Sequence, residues 1–241
     1  MNRILTLGFS PCPNDCFIFD ALLHGKVDTE GLKFKPVIED VEALNKKAFK
    51  AKLDVSKLSF FTYAQLQNKY SLLDSGSALG FGVGPLVVAA ADSPLPKGVR
   101  GLSDIGIKLR IAIPGKNTTA NLLFSLAFPK IKNKVEMLFS EIEDAVLKGK
   151  VDAGVIIHES RFTYKQKGLK KIIDLGEWWE KKTKSPIPLG GIAIKNTYPK
   201  DIQKKVERTI RRSIKFAFAN PGSSKGFIKK HAQTMDEEVI K

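Results

Sequence analysis

Cysteine, histidine and tryptophan are scarce in this chain. Its 241 residues include two cysteines, three histidines and two tryptophans. The two thiols, Cys12 and Cys16, cannot complete a zinc site without other ligands, and a disulfide is not expected in a cytosolic chain. A structural zinc protein and a disulfide scaffold are therefore excluded, and we expect no metal and no cofactor.

Long apolar runs are also absent. No segment reaches the roughly 18 apolar residues needed to cross a bilayer. Residues 1–8 lack both the hydrophobic segment and the small-residue cleavage site of a secretion signal. The sequence therefore predicts no membrane partner, and we expect a cytoplasmic protein whose first strand begins near Ile4.

Positive charge is plentiful, with 40 Lys and Arg against 25 Asp and Glu and a formal net charge of +15. The lysines are spread over several predicted helices, and none of their clusters contains the aromatic side chains on which bases stack. We interpret the charge as solvated helix faces and a field that favours a small anionic substrate. A nucleic-acid partner is not expected, and the sequence allows a homodimer.

Strands and helices alternate along the chain, which is typical of an α/β protein. Hydrophobic periodicity predicts strands at 4–9, 32–38, 53–59, 86–91, 109–113, 151–157, 171–175 and 186–194, and helices at 17–23, 41–49, 60–70, 121–128, 141–148 and 201–219. A Pro- and Gly-containing break at 92–98 marks a crossover between lobes. We predict a first lobe of residues 1–91 with 190–241, a second lobe of 92–189, and a ligand cleft between them.

Polar loops follow four of the predicted strands. In open α/β sheets, ligands bind beyond the carboxyl ends of strands. The loops are 10–15, 56–59, 117–120 and 158–160, and in the first of them Asn14 or Asp15 is expected to cap the following helix. Hydroxyls, helix N-termini and backbone N–H groups near Ser59 and Thr119 suit a carboxylate or a polyol.

His158 leaves a buried strand, since it follows Val155-Ile156-Ile157. Histidine titrates near neutral pH and can accept a proton from a carbon or hydroxyl acid. Position alone leaves a structural role equally open, and Glu159 could either orient the ring or be solvated. The glycine-rich segment 75–85 fits neither a dinucleotide fingerprint nor a P-loop, and no G-x-S-x-G elbow is present.

Segments 8–15, 57–59, 80–85, 114–120 and 154–164 together resemble the 1,4-dihydroxy-6-naphthoate synthase family of the futalosine route to menaquinone. The resemblance implies an α/β, two-lobed, type II periplasmic-binding-protein-like fold that serves as a cofactor-independent cytoplasmic enzyme. It also implies a carbon–carbon lyase that converts cyclic dehypoxanthinyl futalosine to 1,4-dihydroxy-6-naphthoate and dihydroxyacetone.

The same resemblance assigns roles to residues. His158 matches the proton acceptor of the family. The substrate-binding positions match Lys57, Leu58, Ser59, Thr119 and Ala120. Residues expected to support them are Ser10, Asn14, Asp15, Thr118 and Glu159. We expect His158 to face Ser59 and Thr119 across one cleft.

Two features depart from the family pattern. Cys16 stands where a threonine is common at the start of the first helix, and a thiol is a poorer cap. The chain also ends at Lys241, whereas family members usually continue through further helix, so we expect an effect on the stability of the first lobe and on cleft closure.

Two other functions fit lobes and polar loops. A solute-binding module without catalysis would share them, although the absence of a secretion signal argues against it. A ligand-sensing regulator domain would share them too, but the sequence has no DNA-binding helix pair. The order of proton transfer and bond cleavage stays open.

Overall fold

The computed structural model of the protein describes residues 3–98, 108–158 and 160–231. The chain divides into two compact units. Unit 1 comprises Met1–Ala78 and Gly190–Lys241, and unit 2 comprises Leu79–Leu189. Among the described residues, no helix is long and apolar enough to cross a membrane.

Unit 1 is built on a mixed sheet. Its strands are β1 (Arg3–Phe9), β2 (Leu32–Ile38), β3 (Val55–Ser59), β4 (Tyr70–Leu72) and β11 (Ile187–Lys195), in the order β2-β1-β3-β11-β4, and β5 (Ala78–Gly80) also pairs with β11. β1 is parallel to β2 and β3, whereas β11 is antiparallel to β3 and β4. The helices of this unit are α1 (Pro13–Leu23), α2 (Val41–Phe49), α3 (Phe60–Gln65), α8 (Lys200–Ala219) and α9 (Lys225–His231).

Buried and exposed side chains alternate along β1, and the buried ones form part of the core of unit 1. Leu5, Leu7 and Phe9 are fully buried, whereas Ile4 is exposed. The same core takes up Val206 and Ile210 from one face of α8, which is the stripe expected of an amphipathic helix. At Gly8 a Cβ would lie 2.7 Å from Leu53 and 2.9 Å from Leu44, so glycine lets these neighbours pack directly on the strand.

Unit 2 is built on a second mixed sheet. Its strands are β6 (Leu86–Ala90), β7 (Ile111–Ile113), β8 (Lys134–Glu136), β9 (Ala153–Ile156) and β10 (Leu169–Asp174), in the order β10-β6-β9-β7-β8. β7 is parallel to β8 and β9, and β6 is antiparallel to β9 and β10. The helices are α4 (Thr119–Ala127), α5 (Ile142–Leu147), α6 (Ser160–Thr163) and α7 (Leu175–Thr183).

Both faces of the unit 2 sheet are covered. Val87 and Val155 face a core that includes Phe124, whereas Leu86 and Ile156 face a second core. Burial on both faces explains why β6 and β9 are continuous apolar runs in the sequence.

Two predictions about unit 1 were wrong. The helix predicted over 60–70 ends at Gln65, and Tyr70 lies in β4 instead, where its hydroxyl donates to the Leu53 carbonyl oxygen at 2.7 Å. Pairing of β4 with β11, far along the chain, overrides local helix propensity there. The N-cap of α1 is Cys12, rather than Asn14 or Asp15, because the helix begins with Pro13.

Candidate functional site

In unit 2 the polar loops follow one edge of the sheet. β7 and β9 are parallel neighbours, and their register pairs Ile111 with Ala153 and Ala112 with Gly154. Their carboxyl ends therefore lie side by side. The chain that leaves β7 reaches Thr118 and Thr119, and the chain that leaves β9 reaches His158.

His158 lies in a turn with an unusual backbone. Its φ is 57°, in the left-handed region that β-carbon-bearing residues seldom adopt. The half-buried imidazole packs edge-on against the Phe139 ring, with centroids 5.1 Å apart. Phe139 begins a short 3-10 helix (Phe139–Glu141) three residues after β8, so the turn is packed against a segment from the same sheet edge. Glu159 lies outside the described residues.

The start of α4 is tied down by threonine hydroxyls. Thr118 is the N-cap, and its hydroxyl accepts from the Asn121 N–H at 3.2 Å and donates to the Gly115 carbonyl oxygen at 2.8 Å. The Thr119 hydroxyl donates to the Leu189 carbonyl oxygen at 3.0 Å. Thr118, Thr119 and Ala120 are all buried. These bonds fix the first turn of α4.

In unit 1, Ser10, Asp15 and Lys57 form a connected polar group. The Ser10 N–H and hydroxyl donate to the Asp15 carboxylate at 3.0 and 2.8 Å. Lys57 Nζ lies 3.6 Å from the other Asp15 oxygen and donates to the Gly76 carbonyl oxygen at 2.7 Å. The buried carboxylate thus holds the ammonium and offsets part of its charge. Asn14, in the same helical turn as Asp15, is exposed.

Ser59, at the end of β3, is held by Asn45, for which no role was predicted from the sequence. Its N–H donates to Asn45 Oδ1 at 3.1 Å, and Asn45 Nδ2 donates to the Ser59 hydroxyl at 3.1 Å. Both residues are buried. The Asn45 side chain thus engages the Ser59 N–H. The role of N–H groups near Ser59 in holding an anion stays a prediction. The Leu58 side chain packs into the core with Ala48 and Tyr70.

The sequence does indicate that Asn45 has a buried partner. Asn45 lies beside Leu44 on the apolar side of α2, where a polar side chain needs a hydrogen-bond partner inside the protein. No comparable signal existed for Phe139, or for the contacts of Arg161, because those partners lie on distant segments.

The two cysteines are packed and hydrogen-bonded. The Cys12 Sγ lies 2.9 Å from the Ser10 hydroxyl oxygen, to which its S–H can donate, and the Cys16 thiol lies inside α1, 3.7 Å from the Pro11 carbonyl oxygen. Cys16 is therefore not at the cap position. Burial and the neighbouring Asp15 carboxylate raise the pKa of each thiol to about 12. Within the described ranges, no group of three or more His, Cys, Asp or Glu side chains could hold a metal ion.

The sequence model of a family described as menaquinone biosynthesis matches residues 5–241. The chain belongs to this menaquinone biosynthesis family. The 1,4-dihydroxy-6-naphthoate synthase of Thermus thermophilus is 44% identical over 236 residues, covering 98% of this chain and 82% of that protein. The synthase of the same name from Streptomyces coelicolor is 39% identical, covering 98% of this chain and 81% of that protein. The protein is thus an enzyme of menaquinone biosynthesis, and the predicted family is confirmed.

The fold is similar to that of several proteins of known structure. A protein of Archaeoglobus fulgidus is 40% identical with a TM-score of 0.88, covering 98% of this chain and 85% of that chain. The alkanesulfonate-binding protein of Xanthomonas axonopodis pv. citri, bound to MOPS, is 14% identical with a TM-score of 0.73, covering 98% of this chain and 81% of that chain. The predicted α/β fold of the periplasmic-binding-protein type is confirmed.

Proposed function

We propose that this enzyme converts cyclic dehypoxanthinyl futalosine to 1,4-dihydroxy-6-naphthoate and dihydroxyacetone, with His158 as the general base. The observation that carries the proposal is the 44% and 39% identity to two 1,4-dihydroxy-6-naphthoate synthases over nearly the whole chain. The position of His158 beyond the carboxyl end of β9, whose neighbouring strand β7 leads to α4, supports its role.

In the proposed reaction a base removes one proton, and no cofactor takes part. Removal of a proton from the sugar-derived part allows a carbon–carbon bond to break. The electron pair of that bond passes into the ring that becomes aromatic, and the protonated imidazole returns its proton to the resulting product anion. Aromatisation supplies the driving force. A neutral imidazole is suited to this proton transfer near neutral pH.

Other residues are proposed to bind the substrate. These are Lys57, Leu58, Ser59, Thr119 and Ala120, with Ser10, Asn14, Asp15 and Thr118 supporting them. The Lys57 ammonium, held by Asp15 and Gly76, supplies positive charge for a carboxylate. The first turn of α4, fixed by the hydroxyls of Thr118 and Thr119, follows the carboxyl end of β7, where a ligand is expected to bind.

Direct turnover tests the proposal. Purified protein is incubated with cyclic dehypoxanthinyl futalosine, and the naphthoate is followed by absorbance and chromatography. His158→Asn should lower turnover by about 100-fold or more and leave substrate binding nearly intact. His24→Asn is the matched control, since His24 is an exposed histidine at the end of α1 and should leave turnover unchanged.

Two results would contradict the proposal. Tight binding of the substrate without any product would indicate a binding protein rather than a lyase. Turnover by His158→Asn close to that of the wild type would remove the base assignment and leave the reaction itself in place.

A further inference from the structure

We propose that Arg161 is a positioning residue that holds the His158 turn in its left-handed backbone conformation, through contacts of its guanidinium with Asp174 and with two carbonyl oxygens of the glycine-rich segment. The inference rests on the proposed function of His158 as the base. It adds a residue that acts on catalysis through His158 without touching the substrate.

The sheet register brings the ends of three strands together. Asp174 pairs with Leu86 across β10 and β6, and Leu86 pairs with Ile156 across β6 and β9. Asp174 therefore lies in the same cross-strand row as Ile156, two residues before His158. Because β6 is antiparallel to both neighbours, the carboxyl ends of β9 and β10 flank the start of β6.

Arg161 spans this row from the β9 side. Its Nη2 donates to Asp174 Oδ2 at 2.6 Å and to the Gly82 carbonyl oxygen at 2.8 Å, and its Nη1 donates to the Gly84 carbonyl oxygen at 2.8 Å. The arginine side chain is 17% exposed and the aspartate 1%. A charged pair this enclosed, with additional carbonyl acceptors, has a defined geometry rather than a mobile one.

The partners of Arg161 are themselves fixed. Asp174 Oδ1 caps α7 by accepting from the Gly176 and Glu177 N–H groups at 2.9 and 3.1 Å. Gly84 passes so close to Gly176 that a Cβ on Gly84 would lie 2.7 Å from the Gly176 Cα. The guanidinium thus binds to a rigid frame made by β6, β10 and α7.

The backbone connects Arg161 to His158. The Arg161 N–H donates to the His158 carbonyl oxygen at 3.3 Å, which closes the turn. On the other side of α6, the Ser160 hydroxyl donates to the buried Glu143 carboxylate at 3.2 Å. α6 has four residues and cannot hold its own position, so these side-chain bonds fix where the turn begins.

The left-handed backbone conformation of His158 depends on the bonds that Arg161 makes. A non-glycine residue at φ 57° persists only where its surroundings hold it. Without the guanidinium, the turn is free to relax and the imidazole to move relative to the carboxyl edge of β9. A displacement of about 1 Å in a reacting group can cost about 100-fold in rate.

Substitution of Arg161 tests the proposal. Arg161→Gln should lower kcat by about 100-fold with KM nearly unchanged, because binding groups remain and only the base is misplaced. Arg161→Lys keeps the charge but cannot reach three acceptors in one plane, so it should also lose about 10-fold in kcat. Millimolar guanidinium should restore part of the rate of Arg161→Ala, whereas methylammonium should not.

Histidine NMR provides a readout that does not depend on turnover. The chain has three histidines, so labelled imidazoles give three sets of signals, and His158→Asn assigns the relevant one. In Arg161→Gln the His158 signals should shift or broaden, while those of His24 and His231 stay in place. Arg208→Gln is the matched control. Arg208 also donates two hydrogen bonds to one carboxylate, that of Glu30 in unit 1, and the loss of its guanidinium should move neither kcat nor the His158 signals.

Unchanged His158 signals in folded Arg161→Gln would overturn the proposal, whatever happens to the rate. Lost turnover without such a shift would mean that Arg161 acts elsewhere. If Arg161→Gln does not fold, Asp174→Asn replaces it, because an amide keeps the cap of α7 and removes the ion pair. If the wild type makes no naphthoate, the proposed function fails, and the NMR comparison still decides whether Arg161 positions His158.

Discussion

Replacing Asn45 by alanine should weaken both unit 1 and substrate binding. The substitution removes the acceptor of the Ser59 N–H and the donor to the Ser59 hydroxyl, both at 3.1 Å and both buried. A buried polar group left without its partner costs about 1–3 kcal/mol. Because the Ser59 N–H loses its acceptor outright and the hydroxyl oxygen loses one donor, we expect a loss of about 2–4 kcal/mol in the free energy of unfolding.

The loss should be measured by circular dichroism during urea and thermal unfolding. Circular dichroism reports on both units, whereas the two tryptophans, Trp178 and Trp179, are both in unit 2. A loss of this size lowers the midpoint of thermal unfolding by roughly 5–15 °C in a protein of this length. Because Ser59 is a proposed substrate contact, KM should also rise, by about 10-fold, with little change in kcat.

Ser213→Ala is the matched control. Ser213 is equally buried in unit 1, where its hydroxyl accepts from the Leu22 N–H and donates to the Ile18 carbonyl oxygen. It should lose stability to a similar extent and leave KM unchanged. Wild-type stability of Asn45→Ala, or an equal rise of KM in both variants, would refute the reasoning.

Two further predictions concern titratable groups in unit 1. With a pKa raised to about 12, Cys12 and Cys16 are each about 0.01% thiolate at pH 8, so iodoacetamide should modify them slowly in the native protein and promptly in urea, as mass spectrometry would show. Rapid alkylation of the native protein would contradict this. Burial opposes ionisation of Asp54, but hydrogen bonds from Thr6 and Lys195 outweigh it and lower its pKa. A lowered pKa stabilises the fold above about pH 4 and loses that stabilisation as the pH falls, so Asp54→Asn should flatten the decline of urea stability between about pH 5 and pH 3; an unchanged decline would count against it.

Local patterns predicted much of the secondary structure. The strand over 32–38 and the helix over 41–49 have the predicted bounds, because alternation and an apolar stripe are visible within those segments. The Asp40 side chain, which accepts from the Glu42 and Ala43 N–H groups, starts that helix as an N-cap should. Strands that depend on distant partners were missed, as for β4 and β8.

The candidate site was predictable to the level of loops and no further. The rule that ligands bind beyond the carboxyl ends of strands identified the segments around Ser59, Thr119 and His158. It could not identify the side chains that fix them. Asn45 holds Ser59 from 14 residues away, and Arg161 reaches Gly84 across 77 residues, so both contacts exist only once the sheets have formed.

The place of β11 in the unit 1 sheet has a consequence for synthesis of the chain. β3 lies between β1 and β11, and β11 is not complete until Lys195 has been added. Until then a nascent unit 1 carries β3 with one edge unpaired, and α1 lacks the Ser213 hydroxyl that binds its backbone. Unit 2 is one continuous segment whose last residue, Leu189, leaves the ribosome earlier. Unit 2, although it is second along the chain, can therefore finish folding first. During that time the unpaired edge of β3 can pair with strands of other chains, which is a route to aggregation.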